Sequence, residues 1–186
     1  MIDVERALKV PGFTHRPALE WLAEQASEHK VIVEIGSYCG RSTRAMADNT
    51  EGIIYAIDDW KGVRKDFWGK PLAPDLQEQG RNSSGIFAAN LEDLLLTTKV
   101  VAITANHGAI DTFPFFANFG LPDMVFIDGD HDYENVHRDI SIWMKKLAPG
   151  GLLCGDDYSW PGVKQAVSEL VPNAVAVEGT ELWYRP

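Results

Sequence analysis

An α/β fold, with a mostly parallel sheet covered by helices on both faces, is what these 186 residues predict. Three observations lead there. Short apolar, β-branched runs recur along the chain; amphipathic stretches separate them; and the last two strand-like runs lie too close together to hold a helix between them. Strands alternating with helical patterns mark βαβ units and a doubly wound parallel sheet, whereas a short final connection demands an antiparallel hairpin. With 45% apolar residues, the whole of 1–186 is expected to build one core and one domain, with a helical region over 1–30 ahead of the first strand.

Taken in order, the first helix is expected over 17–29, where Pro17 suits an opening turn. VIVEI at 31–35 is the first strand, and a glycine-containing turn leads into a helix over 42–49. IIYAI at 53–57 is the second strand. The stretch 61–83 then breaks the rhythm, with Gly, Pro and mixed charge around Phe67 and Trp68, and reads as a lid or substrate loop. A helix over 84–96, a strand VVAIT at 100–104 and a helix over 109–118 follow. MVFID at 124–128 is the fourth strand, and the helix over 133–147 is halted by Ala148-Pro149-Gly150-Gly151. LLCGD at 152–156 is the fifth, with a helix over 162–170 behind it. Runs at 173–178 and 180–185, hinged on Gly179, form the hairpin.

Composition closes several doors. Seventeen basic residues against 27 acidic ones give a net charge of −10, which disfavours a nucleic-acid backbone or an anionic membrane as partner. Two cysteines, Cys39 and Cys154, cannot build a disulfide framework or a thiolate zinc site, and read as small buried residues. The opening MIDVERALKV carries acids and no apolar segment, so no signal peptide is expected, and no run approaches the roughly 20 residues of a membrane span. A cytoplasmic location is the default expectation.

The first strand runs into Glu34-Ile35-Gly36-Ser37-Tyr38-Cys39-Gly40-Arg41-Ser42. Gly36 permits a tight turn and a close ligand approach, and Gly40 lets the next helix start against the sheet. The spacing is not G-x-G-x-x-G, and the loop lacks the lysine of a phosphate-binding loop. Glu34 would repel a pyrophosphate but suits a cationic ligand. Asp58, closing the second strand, is placed to accept hydrogen bonds from ribose hydroxyls. A ribose acceptor beside an acidic, glycine-turned pocket suggests S-adenosylmethionine, whose amino and sulfonium groups are positive.

Two further acidic clusters follow apolar runs: Asp128 and Asp130 in FIDGDHDYENV, and Asp156 and Asp157 in LLCGDDYSW. Ligands of open parallel sheets bind beyond the carboxyl ends of the strands. Carboxylates gathered there repel one another unless protons or a cation neutralise them, and a hard divalent ion takes oxygen ligands. Asp132 reads instead as the N-cap of the helix that begins near Tyr133. Trp60, Phe67, Trp68, Tyr158 and Trp160 could wall a planar or sugar substrate, Trp68 and Trp160 foremost. Trp21, Trp143 and Trp183 fall within helix or strand patterns and read as core.

These residues resemble the class I S-adenosylmethionine-dependent methyltransferases, and among them the small metal-dependent catechol O-methyltransferase-like group. The loop 34–42 is similar to that group's E-L-G-x-Y-C-G-x-S, DMVFID matches its fourth-strand signature, and the tail matches its hairpin. The likeness runs from Val31 to the C-terminus and implies a Rossmann-like, seven-stranded sheet. It implies that Glu34, Tyr38 and Ser42 hold the methionine part, with Gly36 and Gly40 shaping the turn. Asp58 would hold the ribose, Asn106 and His107 would flank the adenine, and Asp128 would stand at the donor and bind metal. Asp156 and Asp157 align with the metal-binding pair after the fifth strand. The pair Asp-Asp and the run Asp-Gly-Asp130 are closer to the antibiotic-sugar O-methyltransferases, in which the second aspartate of that run is the general base; the catechol group's basic lysine is replaced here by His131. The implied activity is methyl transfer to a hydroxyl of a vicinal diol, sugar or catechol, using Mg2+ or another divalent cation, with Asp130 or His131 as base. The resemblance allows a homodimer, for which the residues carry no interface signal. An NAD-type oxidoreductase is disfavoured by the glycine spacing and the hairpin; an accessory protein that keeps the fold without the chemistry is the other alternative.

Overall fold

A computed structural model describes residues 1–61, 83–105 and 120–186. The 61–83 loop, all but its two ends, lies outside the described residues, as do the helix expected over 109–118 and Phe67, Trp68, Asn106 and His107. After one 3-10 turn, Ala7–Lys9, the described elements are α1 Arg16–Ser27, β1 Val31–Ile35, α2 Arg41–Asn49, β2 Ile53–Asp58, α3 Ser83–Asn90, α4 Glu92–Leu96, β3 Val100–Thr104, β4 Met124–Ile127, α5 Tyr133–Lys146, β5 Leu152–Gly155, α6 Pro161–Leu170, β6 Val175–Ala176 and β7 Trp183–Tyr184.

The seven strands form one sheet in the order β3-β2-β1-β4-β5-β7-β6. β1 lies parallel to β2 on one side and to β4 on the other, and among the described strands β7 alone is reversed, antiparallel to both β5 and β6. The first three strands therefore wind outward in one direction, and the chain returns to β1 to wind the other way. The reversal leaves a crevice beyond the carboxyl ends of β1 and β4, the switch point where such sheets bind ligands.

Side-chain alternation sorts the strands onto two buried faces. Val33, Ile35, Val125 and Ile127 face Ile140 and Trp143 of α5 and Val163 and Val167 of α6. Ile32, Ile54, Met124 and Phe126 face Leu22 and Ala26 of α1, Met46 of α2 and Phe87 of α3. Both faces being covered explains why β1 and β4 read as nearly unbroken apolar runs. Trp143 and Trp183 are core, as expected, while Trp21 is half-buried against Tyr184. Both cysteines are buried and free.

Two expectations need correcting. The helix over 84–96 is two helices, broken at Leu91, where φ −120° and ψ 17° leave the helical region. The break serves tertiary bonds of Asn90: its side chain donates to the Cys39 carbonyl (2.9 Å), and its own carbonyl accepts from Arg44 (3.3 Å). The hairpin strands are also shorter than the runs at 173–178 and 180–185, only two residues each. Thr180 interrupts them, its hydroxyl donating to the Val177 carbonyl and accepting from the Leu182 amide, so that 177–182 becomes a tight loop. Asp132 caps α5 through the Asn135 amide (3.0 Å).

Candidate active site at the switch point

The chain leaves β1 through Gly36, at φ +87°, with its amide donating to the Ile57 carbonyl (2.8 Å). A Cβ at this position would stand 2.0 Å from the Asp128 carbonyl oxygen, so only glycine lets the exits of β1 and β4 pass so closely. Tyr38 follows at φ +46°, and Gly40 caps α2 in the left-handed region. The loop amides are gathered by Asp58: Oδ2 accepts from Ser37 (3.0 Å) and Tyr38 (2.9 Å), and Oδ1 from Trp60 (2.7 Å).

Glu34 shares a face with Ile32 and so turns toward α2, fully buried. Its carboxylate accepts from the hydroxyls of Ser42 (2.6 Å), Ser37 (2.7 Å) and Thr43. Burial pushes its pKa up, against the pull of those three hydroxyls. The wall of the crevice is made instead by Gly36, Ser37, Tyr38 and Ser42 from the same loop.

That crevice is a cavity of about 620 Å³ reaching from the N-terminal segment to the ends of β1, β2, β4 and β5. Asp58, Asp128, His131, Asp156, Asp157 and Trp160 all line it. Asp130 does not; it borders a narrow recess of about 10 Å³ that also touches Asp128, His131, Asp156 and Asp157. Of the other aromatic candidates, Trp60 is buried against Phe87 (4.7 Å between ring centroids), and Tyr158 packs against the core.

The acids are close enough to disturb one another. Burial, then the charges of Asp156 and Asp157, raise the Asp128 pKa well above the usual carboxylate range. Burial and the charge of Asp157 bring Asp156 to about 6. Asp157 sits at φ +59°, its amide donating to Asp156 Oδ1 (2.8 Å). His131 Nε2 lies 2.6 Å from Asp157 Oδ2, and its ring leans on Trp160 with centroids 4.5 Å apart. Burial lowers the His131 pKa, but the Asp157 bond and the charges of Asp157, Asp130 and Asp156 outweigh it, and the net shift is upward. Asp128, His131 and Asp157 offer one ligand atom each within 4.8 Å of one another, a set that fits a divalent cation in both charge and donor chemistry.

Residues with no signal in their spacing complete the site. The segment from Pro11 to His15 forms one wall, and Asp59, Thr180 and Glu181 form parts of others. Arg41, at the start of α2, straps that segment down: Nε donates to the Val10 carbonyl (2.7 Å) and Nη1 to the Thr14 carbonyl (3.2 Å). Gly12 packs directly on the Arg41 side chain, 2.9 Å separating its notional Cβ from the arginine Cβ. Phe13, largely exposed, stacks on Tyr38 with centroids 5.8 Å apart. These are contacts across more than twenty residues, which no local pattern announces.

Comparison with known proteins places this geometry. A family model described as a methyltransferase domain matches residues 33–158, which holds the glycine loop, Asp58 and every acid of the cluster. An uncharacterized protein of Acanthamoeba polyphaga mimivirus is 40% identical over 152 residues, covering 77% of this chain and 60% of that protein. The chain thus spans about 60% of the length of that relative. Among solved structures, a calicheamicin methyltransferase superposes with TM-score 0.62 at 16% identity, over 91% of this chain and 77% of that one. An O-methyltransferase from Bacillus cereus in complex with SAH gives 0.63 at 19%, over 97% and 88%. The SAH-bound Podospora anserina methyltransferase PaMTH1 gives 0.63 at 13%, over 92% and 78%. At such identities the structural likeness is one of fold.

Proposed function

The chain belongs to the methyltransferase domain family, and from that premise we propose that it transfers the methyl group of S-adenosylmethionine to a hydroxyl of a small diol, sugar or catechol, with a divalent cation at the switch point. The observation that carries this reading is the convergence of Asp128, His131 and Asp157 on the cavity that the glycine loop also lines. A nucleoside donor and a small acceptor are in proportion to a cavity of about 620 Å³.

Each residue has a task in this reading. Gly36, Ser37, Tyr38 and Ser42 form the wall for the methionine part of the donor, and the Ser37 and Ser42 hydroxyls, whose protons go to Glu34, keep lone pairs for its ammonium group. Asp58 already holds three amides, two of them on Oδ2, so Oδ1 keeps one lone pair for a ribose hydroxyl. Glu34 acts one layer behind, pinning Ser37 and Ser42 where the donor needs them. Asp128 and Asp157 hold the cation; Asp156, read from the sequence as a third ligand, lines the same cavity while giving Oδ1 to the Asp157 amide. When bound, a divalent cation supplies a lowered hydroxyl pKa and a fixed position for the attacking oxygen. Asp130, which borders the recess behind Asp128 and Asp157 and not the cavity itself, takes the hydroxyl proton through one bridging water. Trp160 gives the acceptor an apolar wall.

The test begins with purified protein and calorimetric titration of S-adenosylhomocysteine. Labelled methyl transfer is then followed across a panel of vicinal diols, sugars and catechols, with and without divalent cation. Micromolar binding and cation-dependent transfer to a panel member are expected, and Asp130→Asn should lower kcat by about 10²- to 10⁴-fold. Binding with no transfer to any hydroxyl would favour an accessory protein, and no binding at all would end the methyltransferase reading.

A further inference from the structure

The third ligand of the cation is where this chain parts from an all-acid set. Asp156 is adjacent in sequence to Asp157, but its Oδ1 accepts the Asp157 amide at 2.8 Å. The left-handed backbone at Asp157, φ +59°, instead brings its carboxylate to the imidazole of His131, with Nε2 and Oδ2 2.6 Å apart. Asp128 completes the group from β4's exit, and the three donor atoms all lie within 4.8 Å of one another. Neighbouring ligands of one octahedral ion, each about 2.1 Å from it, stand about 3 Å apart and opposite ones about 4.2 Å, so the three donors need only small side-chain adjustments to share one ion, which would take the place of the proton in the 2.6 Å Nε2–Oδ2 contact. Trp160, leaning on the imidazole at 4.5 Å between centroids, limits how far that ring can turn away.

Resting on the methyl-transfer reading for the purpose of the site, we infer that His131 is a metal ligand together with Asp128 and Asp157, so that the site selects a first-row transition ion such as Mn2+, Co2+ or Zn2+ over Mg2+. Two carboxylates and one neutral imidazole balance a doubly charged ion. Mg2+ demands oxygen donors and gives up its water reluctantly, whereas first-row ions gain from an imidazole nitrogen. With Nε2 engaged in this way, His131 is not the base, and proton removal falls to Asp130.

The experiment uses the full chain, stripped with chelator and titrated calorimetrically with Mn2+ and with Mg2+, while pulsed electron paramagnetic resonance reads the Mn2+-loaded protein. The expected result is at least tenfold tighter binding of Mn2+ and a nitrogen hyperfine coupling from one imidazole. His131→Ala should remove that coupling and weaken Mn2+ at least tenfold while leaving S-adenosylhomocysteine binding intact. His131→Asp, which restores an all-oxygen set, should bring the Mn2+ to Mg2+ preference down at least tenfold. Absence of nitrogen coupling in the unaltered protein, or Mn2+ affinity unchanged in His131→Ala, overturns the inference. A protein with the nitrogen coupling that fails to bind S-adenosylhomocysteine upholds the ligand assignment and sinks the methyl-transfer reading alone.

Discussion

A carboxylate inside a parallel sheet must be answered by donors, and Glu34 is answered by three hydroxyls from the loop and helix that follow it. Glu34→Ala leaves those hydroxyls buried without their acceptor and is expected to cost about 2–4 kcal/mol in urea unfolding. Glu34→Gln keeps the shape and removes the charge, which isolates the pH dependence. Burial raises the folded pKa above the unfolded value of about 4.3, so the folded chain binds the extra proton. Stability from this group is therefore fullest below the unfolded value and is lost as pH rises toward the folded one. The unfolding free energy of the native chain relative to Glu34→Gln should fall as pH is raised from 4; parallel pH profiles would contradict this. At this scale the sequence was legible for types and turns: Gly36, Gly40 and Asp132 sit where their chemistry suggested. It was less legible for direction. Glu34 was read as facing the ligand, and its contacts are with Ser37, Ser42 and Thr43, because the period of a strand places it on the α2 face with Ile32.

Between elements, the strongest polar tie is Arg44 of α2, which is 2% exposed. Its guanidinium donates to both oxygens of Asp93 in α4 (2.6 and 2.9 Å) and to Asp48 one turn along (2.9 Å), and Arg6 reaches the same Asp93 at 2.6 Å. A buried arginine forked onto a carboxylate is geometrically demanding, so it sets the angle between the helix that follows the glycine loop and the pair that follows β2. Arg44→Met is expected to cost about 2 kcal/mol, less than a wholly buried pair because Asp93 is half in solvent. A shift in the urea midpoint reads it; an unchanged midpoint would mean that the fork adds nothing. The positions of the five parallel strands were legible within a residue, since apolar runs of four to six fit only one place in a covered sheet, whereas the hairpin strands were not. The break at Leu91 was not, because what ends α3 is the pull of Asn90 on Cys39 and Arg44, far away in sequence.

For the molecule as a whole, the sheet order explains why so many weakly specific signals converge. Strands that wind outward from β1 in both directions deliver their exits to one rim, so Gly36, Asp58, Asp128 and Asp157 become neighbours although more than a hundred residues separate the first from the last. A ligand that bridges those exits stabilises the fold by mass action: S-adenosylhomocysteine at 100 times its Kd should add about 2.7 kcal/mol, visible as a rise in Tm. No rise at saturation would argue that the cavity is not its site. The mostly parallel sheet and its antiparallel end were readable from the chain because of the alternation and the short final connection; the order of the strands within the sheet was not. The N-terminal wall was not, since Pro11 to His15 is joined to the site only through space. That wall has a practical use. Arg41 grips carbonyl oxygens, which any amino acid supplies, so Pro11 and Phe13 can be exchanged while Gly12 and the grip are left alone. Anyone wishing to reshape this rim can rewrite Pro11 while the arginine grip holds, whereas a change at Phe13 also removes its stacking on Tyr38.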